Sequence, residues 1–173
     1  MASLRFSEAA GTDLAAGQGL GFDMLTALFV SFLMCTLTML IHMTGLIVLM
    51  AFMRARSGGL RPHENMFGQA GFIMLIVFGL FAIHAVEIWA YALLYLGFGE
   101  FDTLESSLYF ATSTFTTLGY GDVILGPGWR LVAAIEGFNG FLLIGWSTAF
   151  LVSVISRLRT IEFDWLDHHR DAE

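Results

Sequence analysis

Seven consecutive residues, Thr116-Thr117-Leu118-Gly119-Tyr120-Gly121-Asp122, have the make-up of a loop that strips a cation of its water and holds it by backbone oxygens. A row of carbonyls aimed at one axis needs backbone conformations that alternate along the chain, and only glycine enters the left-handed ones without strain. Gly119 and Gly121 supply that freedom two residues apart. The carbonyls of Thr117, Leu118, Gly119 and Tyr120 are then the ion ligands, with the Thr117 hydroxyl at the inner end of the row and the Tyr120 ring packing outward to brace the loop. Thr116, Gly121 and Asp122 flank the ligands as supports. In an arbitrary soluble sequence Gly-Tyr-Gly-Asp reads better as a tight turn between two elements, so context decides.

A second set of chemically capable residues lies inside apolar sequence. Glu87 and Glu136 sit in hydrophobic blocks, where an ionised carboxylate is expensive unless it is paired, protonated or wet. Either could brace the loop by bonding to Ser113, Thr112 or Tyr109 just before it, or simply satisfy itself locally. His84 and Glu87 share a helix face by their three-residue spacing, and His42 belongs to an earlier block. A His42/His84/Glu87 metal site in a membrane enzyme is a remote alternative. The ligand set is small for catalytic metal, there is no HExxH motif, and an interhelical hydrogen bond is the plainer use. Because histidine titrates near neutral pH, proton sensing is a further use.

The elements that must position these residues are legible from hydropathy. The chain is 57% hydrophobic with mean hydropathy +0.73, and its apolar residues come in long blocks. Roughly 20 such residues cross the hydrocarbon core, and blocks at 24–53, 67–96 and 129–155 qualify. A shorter apolar stretch, 104–115, runs straight into the glycine loop. That order predicts a half-membrane helix followed by a re-entrant loop, a backbone tolerated at membrane depth only where it lines a water-filled path or is buried in protein. The first block is too long for a signal-peptide core and has no basic segment immediately before it. Cys35 is the single cysteine, which excludes an intrachain disulfide; the net charge of -7 and the absence of lysine argue against nucleic-acid binding.

Arginines set the orientation. Arg54, Arg56 and Arg61 follow the first block and Arg157, Arg159 and Arg170 the third, so six of the eight basic residues share one side, which the positive-inside rule makes cytoplasmic. The N-terminus is then outside, the C-terminus inside, and the loop at the outer face. The expected organisation is a flexible extracytoplasmic stretch at 1–21 with room for a short interfacial helix, an additional transmembrane helix at 22–54, a Gly/Pro connector at 58–62, a pore domain at 67–157 and a short tail at 158–173 carrying interfacial Phe163 and Trp165. Glu100, Asp102, Glu105 and Asp122 would surround the outer mouth with negative charge, or serve as ordinary loop and capping groups. One loop offers too few carbonyls to enclose an ion, and potassium filters are built from four such loops. Cyclic closure of identical chains therefore predicts a homotetramer.

On the loop 116–122, the stretch 104–115 before it and Trp129-Arg130-Leu131-Val132-Ala133 after it, the chain resembles the bacterial two-helix-pore (Ion_trans_2 type) potassium channels over about 67–159. Leu118 replaces the more familiar valine, and Ser113 stands where some relatives carry a glutamate. The resemblance implies an inner-helix hinge at Gly140, pore-lining Phe141, Ile144, Thr148 and Val152, and a constriction near Val152 or Ser156. Gly137 and Gly140 serve equally for close helix packing, and Asn139 faces either the cavity or a neighbouring helix. The block at 24–53 is extra to the family core and lacks the spaced arginines of a voltage sensor.

The sequence thus predicts an all-α integral membrane protein of a bacterial inner membrane, with three spans plus a pore helix per chain, that conducts K+ passively and needs no cofactor beyond the potassium ions in its filter. Its partners are K+, lipid, three further copies of itself and, through the first helix, another membrane protein. A weakly selective cation channel, or a subunit requiring a different partner chain, is the alternative.

Overall fold

Each long apolar block becomes a helix. The computed structural model describes the backbone of residues 2–57 and 66–170, and the side chains of residues 24–55, 68 and 70–156. In chain order the elements are α1 (Ala2–Ser57), α2 (Met66–Gly97), α3 (Leu104–Phe115), a 3-10 turn (Pro127–Trp129) and α4 (Arg130–Arg170), with no strand among the described residues. The membrane-crossing portions are Met24–Ala55, Ala70–Gly97 and Pro127–Ser156. At 28 residues the shortest of these extends about 42 Å, more than the ~30 Å hydrocarbon core. With 12 residues, α3 reaches only about 18 Å. The protein is an all-helical integral membrane protein with three spans and one short helix between the second and third.

The helix α1 begins at Ala2, where the sequence reading has flexible chain up to residue 21. Alanines at 2, 9, 10, 15 and 16 favour helix, and extending an existing helix adds one bond per residue without the cost of a new nucleus. For the same reason α4 continues to Arg170 through the expected tail. The connector at 58–62 and the side chains of Arg56, Arg157, Arg159, Phe163, Trp165 and Arg170 lie outside the described residues.

Two apolar clusters hold the helices together. One joins α2, α3 and α4 around Tyr91, Tyr95, Phe110, Phe115, Val132 and Leu143, all nearly or fully buried. The other, Leu46, Leu49, Ile76, Leu80 and Ile83, lies between α1 and α2. There small residues permit close approach: a β-carbon on Gly45 would fall 2.6 Å from Ile83 Cγ1, and one on Gly79 2.6 Å from Leu49 Cδ1. Much apolar surface stays uncovered, including Phe29, Phe32, Phe78, Phe81, Phe138 and Phe141. Lipid or further protein must cover so much contiguous apolar area.

Helix α3 is fixed at its start by Thr103, whose side chain accepts from the Ser106 amide at 3.2 Å, and Glu105 in the first turn complements the helix dipole. Ser107 Oγ donates to the Ala92 carbonyl of α2 at 2.6 Å. The short helix is thereby moored to α2 before it delivers the chain to the loop.

Candidate functional site

The loop 116–122 is built on the unpaired carbonyls that end α3. Thr112 O accepts from the Thr116 amide at 3.1 Å and from Thr116 Oγ1 at 2.8 Å. Thr114 O accepts from the Thr117 amide at 2.9 Å, and Ser113 O accepts from both Leu118 and Gly119 amides at 2.9 and 3.1 Å. In a trans peptide the N–H and the preceding C=O point in opposite directions. With three successive amides turned back to α3, the carbonyls of Thr116, Thr117 and Leu118 are turned away from it. No hydrogen bond among the described residues is directed at the carbonyls of Thr117, Leu118, Gly119 or Tyr120.

Positive φ recurs at every second residue: Thr117 (60°), Gly119 (53°) and Gly121 (77°). The glycines meet the sequence expectation. Thr117 goes beyond it, since a β-branched residue in the left-handed region carries strain of order 1–3 kcal/mol. Amide bonds at Thr117 and Leu118 on either side hold it there. Leu118 and Tyr120 side chains are exposed on the single chain, so the Tyr120 ring braces no helix of its own chain.

The supports are only partly those expected. Ser113 acts through its backbone oxygen, as above. Asp122 accepts from the Tyr109 hydroxyl at 2.8 Å, which ties the outer end of the loop to α3 and pushes the phenol pKa up. Glu100 does not stand free at the mouth: its Oε2 accepts from the Gly126 amide at 2.9 Å, bracing the chain that leaves the loop. Gly140 packs against the Phe115 carbonyl so closely that a β-carbon would overlap it, and one on Gly137 would lie 3.3 Å from Thr114 O. The inner helix thus touches the end of α3 through glycine, and close approach alone is enough to require Gly140.

Neither buried glutamate bonds to α3. Glu136 Oε2 accepts from Tyr95 at 2.6 Å, while its Oε1 has no partner among the described residues. This corrects the expected bond to Ser113, Thr112 or Tyr109; the link to α3 is instead through the Tyr95 ring, edge-on to Phe110 at 5.4 Å. Asn139 Nδ2 donates to Thr38 Oγ1 of α1 at 2.8 Å and to the Tyr91 hydroxyl of α2 at 3.3 Å, so it joins helices. Together with His84 and Ser147, 3.0 Å apart, these contacts form a polar ladder between antiparallel α2 and α4. Its α2 side, Glu87, Tyr91 and Tyr95, recurs every fourth residue and is fully buried. Tyr91 and Tyr95 were not singled out from sequence, although their four-residue spacing from Glu87 was readable.

Glu87 lies near the inner end of the ladder, one turn from the His84–Ser147 contact. Its two oxygens meet His42 Nδ1 at 2.9 Å and His84 Nδ1 at 2.8 Å, so the three residues considered together from sequence do converge. The expected pore-lining set lies on one stripe of α4: Phe141, Thr148 and Val152 are exposed on the single chain, and Ile144 is half-buried against the core.

A membrane-embedded helical scaffold that presents a carbonyl-lined loop at the end of a half-length helix defines a class of pore proteins. Residues 81–157, from the middle of α2 through α3 and the loop into α4, match the family model Ion_trans_2, described as ion channel. Over these residues the chain is similar to that ion-channel family, and α1 lies outside the match as an additional helix. Searches of curated proteins and of solved structures gave no match.

Proposed function

We infer that this ion channel is potassium-selective and that four copies surround one pore, each contributing the carbonyls of Thr117, Leu118, Gly119 and Tyr120. The observation that carries the reading is the alternation of left-handed residues at Thr117, Gly119 and Gly121 combined with amides bonded back to α3. That combination leaves consecutive carbonyls free to face an ion. The C-terminal end of α3 also places partial negative charge near that path. Phe141, Ile144, Thr148 and Val152 line the inner route, with the arginine-rich side cytoplasmic, the N-terminus outside and the exposed apolar faces covered by lipid and neighbouring copies. Flow is passive.

The test is ion flux into liposomes carrying the purified chain under a potassium or a sodium gradient, with Gly119→Asp as control. Potassium flux well above sodium, abolished by the substitution, is expected. Equal flux of both ions would overturn selectivity, and flux appearing only with a second, different chain would overturn the homotetramer.

A further inference from the structure

We propose that His42, His84 and Glu87 form a binding site for a first-row divalent ion of the zinc class, which clasps α1 to the pore domain. The site lies away from the loop and does not rest on the potassium reading.

The donor atoms are already gathered. One ligand atom from each residue lies within 4.8 Å of the others, His42 and Glu87 are fully buried, and His84 is 14% exposed. Two helices contribute: His42 from α1, and His84 with Glu87 from one face of α2. The imidazole rings stand 5.4 Å apart, centroid to centroid, with the carboxylate between them and one oxygen turned to each Nδ1. Two imidazole nitrogens and one carboxylate oxygen make a donor set suited to zinc and its neighbours, not to calcium or magnesium, which prefer oxygen.

Three features point to an ion in addition to the hydrogen bonds. First, the Glu87 carboxyl is fully buried within the spans, where a negative charge is costly without a compensating cation. The chain has no lysine, and the bonds to these side chains among the described residues run to one another and to Ser147. Second, His42 Nε2 has no partner among the described residues, so the buried ring is held in this cluster through its Nδ1 alone. Third, His84 has the outer support that metal-binding histidines use, since its Nε2 meets Ser147 Oγ at 3.0 Å. In the tautomer that donates this bond, Nδ1 presents its lone pair toward Glu87 Oε2, 2.8 Å away, which is the form a metal-binding imidazole takes.

The location gives such an ion a consequence. Ser147 belongs to α4, and the His84 ring lies 6.0 Å from that of Phe115 at the end of α3. An ion joining α1 to α2 there stiffens the packing beneath the loop. If occupancy changes conduction, conduction-linked conformations change ion affinity in return.

The experiment uses the full chain in lipid nanodiscs with His63, His168 and His169 replaced by alanine, leaving His42 and His84 as the remaining imidazoles. After chelation, zinc is titrated and bound metal counted; one ion per chain is expected, with no response to calcium or magnesium. His42→Gln and Glu87→Gln should each weaken binding about 100-fold or more, and Ser147→Ala, which spares the ligands, about tenfold. No bound zinc in a folded triple-alanine chain, or binding undiminished by His42→Gln and Glu87→Gln, overturns the site. Should those variants not fold, cobalt added to the triple-alanine chain decides: intense visible bands of low-coordinate cobalt are expected, and the weak spectrum of the hydrated ion overturns the proposal.

Discussion

Gly140 of α4 lies directly against the backbone carbonyl of Phe115, the last residue of α3, and leaves no room for even a methyl group between them. The obstacle is backbone, so relief requires the inner helix or α3 to shift. Gly140→Ala should therefore destabilise the folded chain by about 1–3 kcal/mol, the usual range for overpacking. Gly145→Ala, on the same helix with nothing within 4 Å of its would-be β-carbon, should be neutral in the isolated chain. Thermal unfolding in detergent compares them, and equal melting temperatures would make bending, not packing, the reason for glycine at 140.

The bond between Tyr95 and Glu136 predicts a coupling. Tyr95→Phe removes the hydroxyl that satisfies Glu136 Oε2 and should cost about 1–3 kcal/mol, the penalty of a buried polar atom left without its partner. In a Glu136→Leu background the same change should cost little, because nothing is stranded. A double-mutant cycle on unfolding reads the difference; additivity would mean that the hydroxyl contributes only packing. Glu136→Gln, which keeps an acceptor, should preserve the fold while altering how long the channel conducts, through Tyr95 and Phe110.

How much of this was legible in the sequence differs from site to site. Gly119 and Gly121 announced the loop because left-handed backbone selects glycine, and the spans followed from hydropathy. Thr117 gave no such signal, since threonine adopts that conformation here only because α3 carbonyls hold the amides on either side. The partners of Glu87 and Glu136 depend on which helices pack and in what register, and nothing local encodes that. Tyr109 illustrates the same point: similar membrane depth makes it one of three candidate partners for a buried glutamate, but the turn of the loop brings Asp122 to it instead.

Asn139 should anchor α1. Thr38→Val keeps the shape but removes the Asn139 acceptor on α1, leaving the weaker contact to Tyr91 at 3.3 Å. Interhelical side-chain bonds within membranes average about 0.6 kcal/mol, so a small loss of that order is expected. Protease or cross-linking accessibility of α1 should rise with it; an unchanged α1 would assign its docking to the Gly45 and Gly79 contacts alone.

Tyr109→Phe should loosen the outer end of the loop, because the hydroxyl it loses is the one that holds Asp122. The carboxylate accepting that bond raises the phenol pKa, so the neutral, donating form is favoured in the folded chain. With an ordinary tyrosine value near 10, the contribution is fully present below that pH and is lost only as pH rises through the higher folded value. Both groups are exposed, and the energetic effect is accordingly small. The expected result is a faster decline of potassium flux in Tyr109→Phe than in the parent chain, with the difference constant from about pH 6 to about pH 9. A difference that vanished within that interval would show that the phenol titrates there, and equal decline in both chains at every pH would show that the bond to Asp122 does not hold the loop.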